Sequence, residues 1–179
     1  MEKHEINQLI KQSLQSDRNA FRLIVENYQY MIFSLAFRIL CNEEDAKDIV
    51  QETFIRIWTH LKDFNQNQKF STWTYRIAVN LCLDKLKKQS VKVFEIDDKL
   101  ILNLENEDFE EKLTNIEISK IIVALIGELS PKQKIVFTLR YLEELEIEEI
   151  KQITGMTSEK IKSNLYVAKQ TIRKKLERY

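Results

Sequence analysis

Residues 129–176 read LSPKQKIVFTLRYLEELEIEEIKQITGMTSEKIKSNLYVAKQTIRKKL. Ser130 before Pro131 is a strong helix start, because proline at the first helical position already has the required φ and needs no amide donor. The spacing predicts a helix from there to about Tyr141, a second over 147–153, and Gly155 as the left-handed residue that ends it. Thr157 or Ser158 then opens a long third helix reaching Leu176. A short helix, a glycine-containing turn and a second helix make a helix-turn-helix pattern. In the last helix, Ile161, Leu165, Ala168, Ile172 and Leu176 form a packing stripe. Glu159, Lys162, Ser163, Tyr166, Lys169, Gln170 and Arg173 share the opposite face. The N-terminal residues of the second helix of such a motif reach base edges in a major groove. Lys162, Ser163 and Tyr166 are therefore readout candidates, and Lys160, Lys169, Arg173 and Lys174 phosphate candidates. A basic amphipathic helix on an acidic protein or membrane is the other reading of this face.

Upstream, the chain to about residue 93 is densely apolar with helical spacing, and an acidic, weakly periodic stretch separates it from the motif. The pattern predicts an amphipathic helix over 5–15 and Asp17 as N-cap of a helix from Arg18, leading into a stretch over 28–40 that is apolar on most sides. A helix over 45–61 follows, with Asn42 and Asp45 resembling a capping box. Ser71 caps a fourth helix over 72–88. The expectation is an all-α protein: a helical bundle over 1–93, an acidic linker over 94–115 and a helix-turn-helix domain over 116–179.

Composition agrees. The 179 residues are 44% hydrophobic and 31% charged, which describes a globular protein. No stretch approaches the roughly 20 apolar residues that cross a bilayer, and the start lacks the apolar core of a signal peptide, so a cytoplasmic protein without membrane insertion is expected. Cys41 and Cys82 have no CxxC spacing and read as reduced packing residues. With two glycines and one proline there is little material for phosphate-cradling loops. Metal, cofactor and catalytic residues are therefore all expected to be none; His4 and His60 read as surface residues. The formal net charge is zero, but the charge is segregated: nine acidic residues against two lysines over 95–117, and seven basic against two acidic over 157–179. Such blocks usually meet different surroundings.

Two further faces stand out. On the helix over 45–61, Ala46, Ile49, Val50, Phe54, Ile57, Trp58 and Leu61 form a core stripe. Opposite lie Asp45, Asp48, Glu52 and Thr59, with Ile55 among them and Gln51 on the flank. Carboxylates around an apolar side chain suit docking on a basic protein surface, and a solvated face with one stray isoleucine is the alternative. On the helix over 72–88, Trp73, Arg76, Asn80 and Lys87 line up away from Tyr75, Ala78, Val79, Cys82, Leu83 and Leu86. Rings stack on bases, amides bond base edges and cations meet phosphates, so the line suits nucleic acid; it also suits solvent. The preceding loop sets Asn65, Gln66, Asn67, Gln68 and Lys69 between Phe64 and Phe70.

The strings DRNAFRLIVENY, EEDAKDIVQETFIRIW, FSTWTYRIAVNLCLDKLK, LSPKQKIVFTLRYLEELEIEEIKQITG and TSEKIKSNLYVAKQTIRKKL occur in this order over nearly the whole chain. Together they resemble the extracytoplasmic-function group of bacterial sigma factors. The resemblance implies that the first domain is sigma region 2. Its Asp45, Asp48, Gln51, Glu52 and Ile55 would dock on the clamp helices of the largest subunit of core RNA polymerase. Phe64, Asn65, Asn67, Lys69, Phe70, Trp73, Arg76, Asn80 and Lys87 would handle the −10 element of promoter DNA. The second domain would be region 4, meeting the flap of the second-largest subunit. It would read the −35 element through Arg140, Ser158, Lys160, Lys162, Ser163, Tyr166, Lys169 and Arg173. Members of the group are commonly silenced by an anti-sigma factor, and a monomer is expected for the free chain. The acidic linker would suit a basic channel built for nucleic acid; a solvated tether is the other reading.

Three departures from the group's pattern bear on −35 contacts: Lys151 for a small alanine, Val167 where arginine is common, and Glu144 for a frequent glycine. A stand-alone helix-turn-helix regulator, with a sensing or dimerising first domain, is the competing class; it predicts tight binding to a palindromic duplex without polymerase. A helical adaptor that never meets DNA is the third.

Overall fold

The computed structural model describes residues 3–89 and 125–177; the expected acidic linker, with both of its boundaries, lies outside them. Among the described residues there are helices and no strand. They are α1 (Lys3–Leu14), α2 (Arg18–Leu40), α3 (Glu43–His60), a 3-10 turn (Leu61–Asp63), α4 (Phe70–Gln89), α5 (Pro131–Phe137), a π turn (Thr138–Leu142), α6 (Ile147–Thr154) and α7 (Ser158–Leu176).

Local chemistry sets the boundaries. The Asp17 carboxylate accepts from the amides of Asn19 at 2.9 Å and Ala20 at 3.2 Å, satisfying donors that the first turn of α2 leaves unpaired. That helix ends at Cys41, which takes the left-handed conformation with φ 54°. One residue on, Asn42 caps α3 by accepting from the Asp45 amide at 2.8 Å. Ser71 is not a cap. The α4 helix begins one residue before it, at Phe70, and the Trp73 amide already donates to the Lys69 carbonyl at 3.2 Å. In the second domain Ser130 caps α5, its amide donating to Gln133 Oε1 at 3.0 Å, and Gly155 closes α6 with φ 68°.

The long α2 is the centre of the first bundle. It packs against α1, α3 and α4, and Ile24, Ile32, Leu35, Ala36 and Ile39 are fully buried on it. The Lys85 ammonium of α4 bridges Asp45 at 2.6 Å and Asp48 at 3.1 Å on α3, so the third and fourth helices are also tied by charge. In the second domain, α7 packs on α5 and α6 through Ile161, Leu165 and Ala168. The buried side chains form one cluster running through both domains, because α6 and the π turn lie against α4 and α2. Nothing in the hydrophobic spacing announces that packing.

The helix expected to reach Tyr141 changes pitch after Phe137. The Glu143 amide donates five residues back to Thr138 at 3.0 Å, and Leu145 donates to Leu139 at 2.9 Å, which widens the last turn into a π turn. Leaving it requires a left-handed residue, and Glu144 supplies one with φ 55°. This is the position where glycine is frequent in the group, and a side chain there meets the steric penalty that glycine avoids. Glu144→Gly is expected to raise unfolding stability by about 0.5–1 kcal/mol after the entropy of glycine is set against the strain relieved; urea denaturation measures it.

Candidate nucleic-acid and protein interfaces

The outer face of α3 divides in two. Asp48, Gln51 and Ile55 are exposed, Ile55 at 60%, and Glu52 holds Arg56 at 2.9 Å. Asp45, read as part of the same open face, is instead largely covered and committed to Lys85. Its place in the first turn of α3 turns it toward α4. Trp58, expected in the core, is 44% exposed and lies edge-on against Phe21 at 4.7 Å. Beside Gln51, an open groove of about 420 Å³ runs between α2 and α3, lined by Gln29, Tyr30, Phe33, Lys47 and Val50. Tyr30 is 76% exposed. Helical spacing missed it because α2 is apolar on most sides, so no single solvent face could be drawn; the signal was a tyrosine amid aliphatic residues.

The start of α4 differs from its helical projection. Phe64, Phe70 and Trp73 are all buried and pack on one another, with ring centroids 5.2–5.6 Å apart. Tyr28 of α2 covers Phe70 at 5.1 Å. Trp73 therefore does not join Arg76, Asn80 and Lys87 on the surface; the loop before α4 folds back over it, and a helical wheel contains no loop. The polar part of the loop does remain outside. Asn65, Asn67 and Lys69 are exposed, and the Asn65 side chain accepts from the Asn67 amide at 2.9 Å, holding the turn. Lys69 reaches Glu149 of α6 at 2.7 Å. What the structure brings together is thus a rigid aromatic base carrying an amide-rich turn, next to Arg76, Asn80 and Lys87 on one flank of α4.

On α7, the expected face is open. Lys160, Lys162, Ser163, Tyr166, Lys169 and Arg173 are exposed, Ser158 is half-buried, and Tyr166 is 64% exposed. Gln170 donates to the Tyr166 hydroxyl at 2.7 Å, fixing the ring, and Lys169 stands 4.9 Å over the Tyr141 ring. Arg140 is half-buried and bonds the Leu145 carbonyl at 2.9 Å and Glu146 at 3.0 Å, so it also braces the turn into α6. Lys151 swings outward to Glu148 at 2.7 Å, which leaves room for the packing of α6. At the far end Leu176, expected on the packed stripe, is 50% exposed.

Cys41 and Cys82 are not joined in a disulfide, and burial pushes Cys82 up to about 12, so it stays neutral. Among the described residues no group of His, Cys, Asp or Glu is arranged to hold a metal, and no helix is long and apolar enough to cross a membrane.

Two family models match this chain in order: Sigma-70 region 2 over residues 24–91 and Sigma-70, region 4 over residues 119–172. It is 33% identical, over 96% of both chains, to the ECF RNA polymerase sigma factor SigW of Bacillus subtilis (strain 168). The chain belongs to the ECF RNA polymerase sigma factors. The ECF RNA polymerase sigma-E factor of Haemophilus influenzae is 30% identical to this sigma factor over 94% of each chain. The fold is shared with CnrH, solved in complex with the cytosolic domain of CnrY, at a TM-score of 0.70 and 18% identity over 97% of each chain. It is also shared with the sigma factor RpoE of Bartonella quintana, solved in complex with the anti-sigma factor NepR, at 0.67 and 18% identity over 88% of this chain and 96% of that one. The bundle of α1–α4 thus holds region 2 and α5–α7 lie in region 4. As a sigma factor, the protein is a non-enzymatic transcription initiation factor.

Trp73→Ala is expected to cost about 3–4 kcal/mol of unfolding free energy, whereas Arg76→Ala and Asn80→Ala stay within about 0.5 kcal/mol; chemical denaturation of the three variants separates the core residue from the surface ones. The Lys69 hydrogen bond, then that of the Glu146 amide, hold the Glu149 carboxyl below its ordinary value. A lowered carboxylate contributes stability that is complete above its unfolded value and fades as pH falls through its folded value. Lys69→Ala should therefore move the Glu149 titration upward, followed by NMR, and lower stability at neutral pH by no more than about 1 kcal/mol, because Lys69 is well exposed, with the difference from wild type fading as pH falls through the Glu149 titration.

Proposed function

We propose that this sigma factor presents three contact surfaces whose joint use makes promoter recognition depend on polymerase. Asp48, Gln51, Glu52 and Ile55, extended by Tyr30 and the groove beside it, dock on the clamp helices of the largest polymerase subunit. Asp45 acts there through Lys85, by fixing the position of Asp48. The exposed turn Asn65, Asn67 and Lys69, with Arg76, Asn80 and Lys87, serves the −10 element. Phe64, Phe70 and Trp73 serve it as a rigid base that positions the turn. Ser158, Lys160, Lys162, Ser163, Tyr166, Lys169 and Arg173 read the −35 element, with Arg140 approaching the backbone, while region 4 meets the flap of the second-largest subunit. The free chain works as a monomer in the cytoplasm.

The observation that carries this reading is an exposed isoleucine sharing its helix face with Asp48 and Glu52 on one domain and an exposed Lys–Ser–Tyr face after a helix-turn-helix turn on the other. An apolar centre with a charged rim supports protein docking. A net-neutral chain gains little from phosphate neutralisation, so each DNA surface alone is weak. Held in register by polymerase, two weak contacts become bivalent, with gains of roughly 10² to 10⁴. Opening the −10 region requires unstacking a base, a few kcal/mol that a positioned pocket offsets by hydrogen bonds and stacking. A protein partner that silences the chain, of the kind seen with the sigma factor RpoE of Bartonella quintana, would act by covering these faces.

The test is transcription by core polymerase plus this chain on a promoter library, with mapping of transcript 5′ ends. Specific start sites with common upstream elements are expected, and none without the chain. Ile55→Glu should weaken core binding about tenfold or more while the fold is kept. Lys162→Ala with Tyr166→Ala should alter preference at −35 and leave the −10 preference alone. Absence of any start-site-specific transcript would overturn the reading, and tight palindrome binding by the isolated chain would favour a stand-alone regulator.

A further inference from the structure

Past the first turn of α7, the middle of its exposed face carries no charge. Ser163, Tyr166, Val167 and Gln170 are all exposed there, Val167 at 41%. Cations beside them are turned elsewhere: Lys169 stands over the Tyr141 ring, and the Arg173 guanidinium donates to Glu177 at 3.2 Å. Within this neutral strip one hydrogen bond sets a polarity. Gln170 Nε2 donates to the Tyr166 hydroxyl oxygen at 2.7 Å. A phenol has one proton and an amide nitrogen cannot accept, so the Tyr166 O–H is left for a partner outside the helix. Gln170 follows Tyr166 by four residues and Val167 by three, so it neighbours both, and the bond draws the hydroxyl toward the side on which Val167 lies. What the strip presents outward is an obligate donor with an aliphatic side chain beside it.

We infer that Tyr166, Val167 and Gln170 form a thymine-reading unit: the Tyr166 O–H donates to thymine O4, Val167 packs on the C5 methyl, and Gln170 positions the phenol. The inference rests on the assignment of this face to the −35 element and names a base that part of it selects. In the major groove thymine alone sets an acceptor and a methyl group on neighbouring ring atoms. Cytosine turns its N4 amino group to the same place, and two donors would then face each other with neither satisfied. Guanine offers acceptors at O6 and N7 but no methyl for Val167 to cover, and adenine sets an amino donor next to its N7 acceptor. An unheld phenol would be free to rotate its proton away and accept from cytosine or adenine. The Gln170 bond removes that choice, so a residue that need not touch the base affects which base is read. Contacts from the flanking cations to phosphate are the same for every sequence, and discrimination at this pair falls to the neutral strip.

The test uses holoenzyme reconstituted from core polymerase and the full chain, with binding selection on promoters randomised through the −35 element. Wild type should hold at least one position to thymine. At one such position deoxyuridine, which lacks only the methyl, should weaken binding about fourfold. There 5-methylcytosine opposite guanine, which keeps the methyl and replaces O4 by an amino group, should weaken it about tenfold. Tyr166→Phe should bring thymine and 5-methylcytosine within about twofold of each other and leave the thymine–uracil difference in place. Gln170→Ala should narrow the first difference in the same direction with Tyr166 intact. Val167→Ala should erase the thymine–uracil difference alone, whereas a purely structural role would weaken every probe alike. The base analogues are read on the wild-type protein, so they decide the inference even where a variant fails to fold. An element with no thymine-held position, equal binding of thymine and uracil at every such position, or thymine–5-methylcytosine discrimination that survives Tyr166→Phe would overturn the inference and leave the proposed function standing. A wild-type holoenzyme that selects no −35 element would overturn both.

Discussion

A helix of 23 residues that is apolar on most of its circumference cannot be left in water, and the first domain is arranged around that constraint on α2. Each isoleucine or leucine buried on it stabilises the fold by roughly 1.5–3 kcal/mol relative to exposure. No single partner helix covers so much of a cylinder. The first, third and fourth helices therefore pack around it, and their own outward faces become the places where anything other than packing can happen. The groove beside Tyr30 and the Ile55 face are residues of this arrangement, positions that the core does not need and does not cover.

The same helix also connects the core to the contact between domains. Arg38 lies one residue before Ile39, which is fully buried, so its backbone is fixed by the core while its side chain extends toward the second domain. On the other side, the π turn and the left-handed Glu144 give the second domain a bend that an uninterrupted α-helix would lack. Strained backbone of this kind persists where the surroundings overdetermine it, and here both the Arg140 brace and the Arg38 contact hold the bend from either side.

Function in this sigma factor is a matter of which charges are left over once the fold has used its own. Asp45 and Lys85 tie α3 to α4, Arg140 closes a turn, and Lys69 is shared between the loop and Glu149. Arg76, Lys160 and Lys162 stand at the surface. Net neutrality then has a physical consequence: general attraction to phosphate contributes little to any contact of the whole chain with DNA.

Much of this was legible in the chain itself. Asp17, Asn42, Ser130, Pro131, Gly155 and Thr157 mark helix ends by short-range chemistry, and three- and four-residue spacing marks which faces of α3 and α7 are buried, because both effects act within a few residues of sequence. The order of the family motifs announced a region 2 followed by a region 4, the order in which the family models match. Tertiary structure alone decided that Trp73 is roofed by Phe64 and Phe70, that Asp45 turns inward to Lys85, that Tyr30 borders an open groove, and that Glu143 reaches across to Arg38 and Tyr75. Each of these depends on what a loop or a distant helix places over a side chain, and a helical projection holds only the helix on which it is drawn.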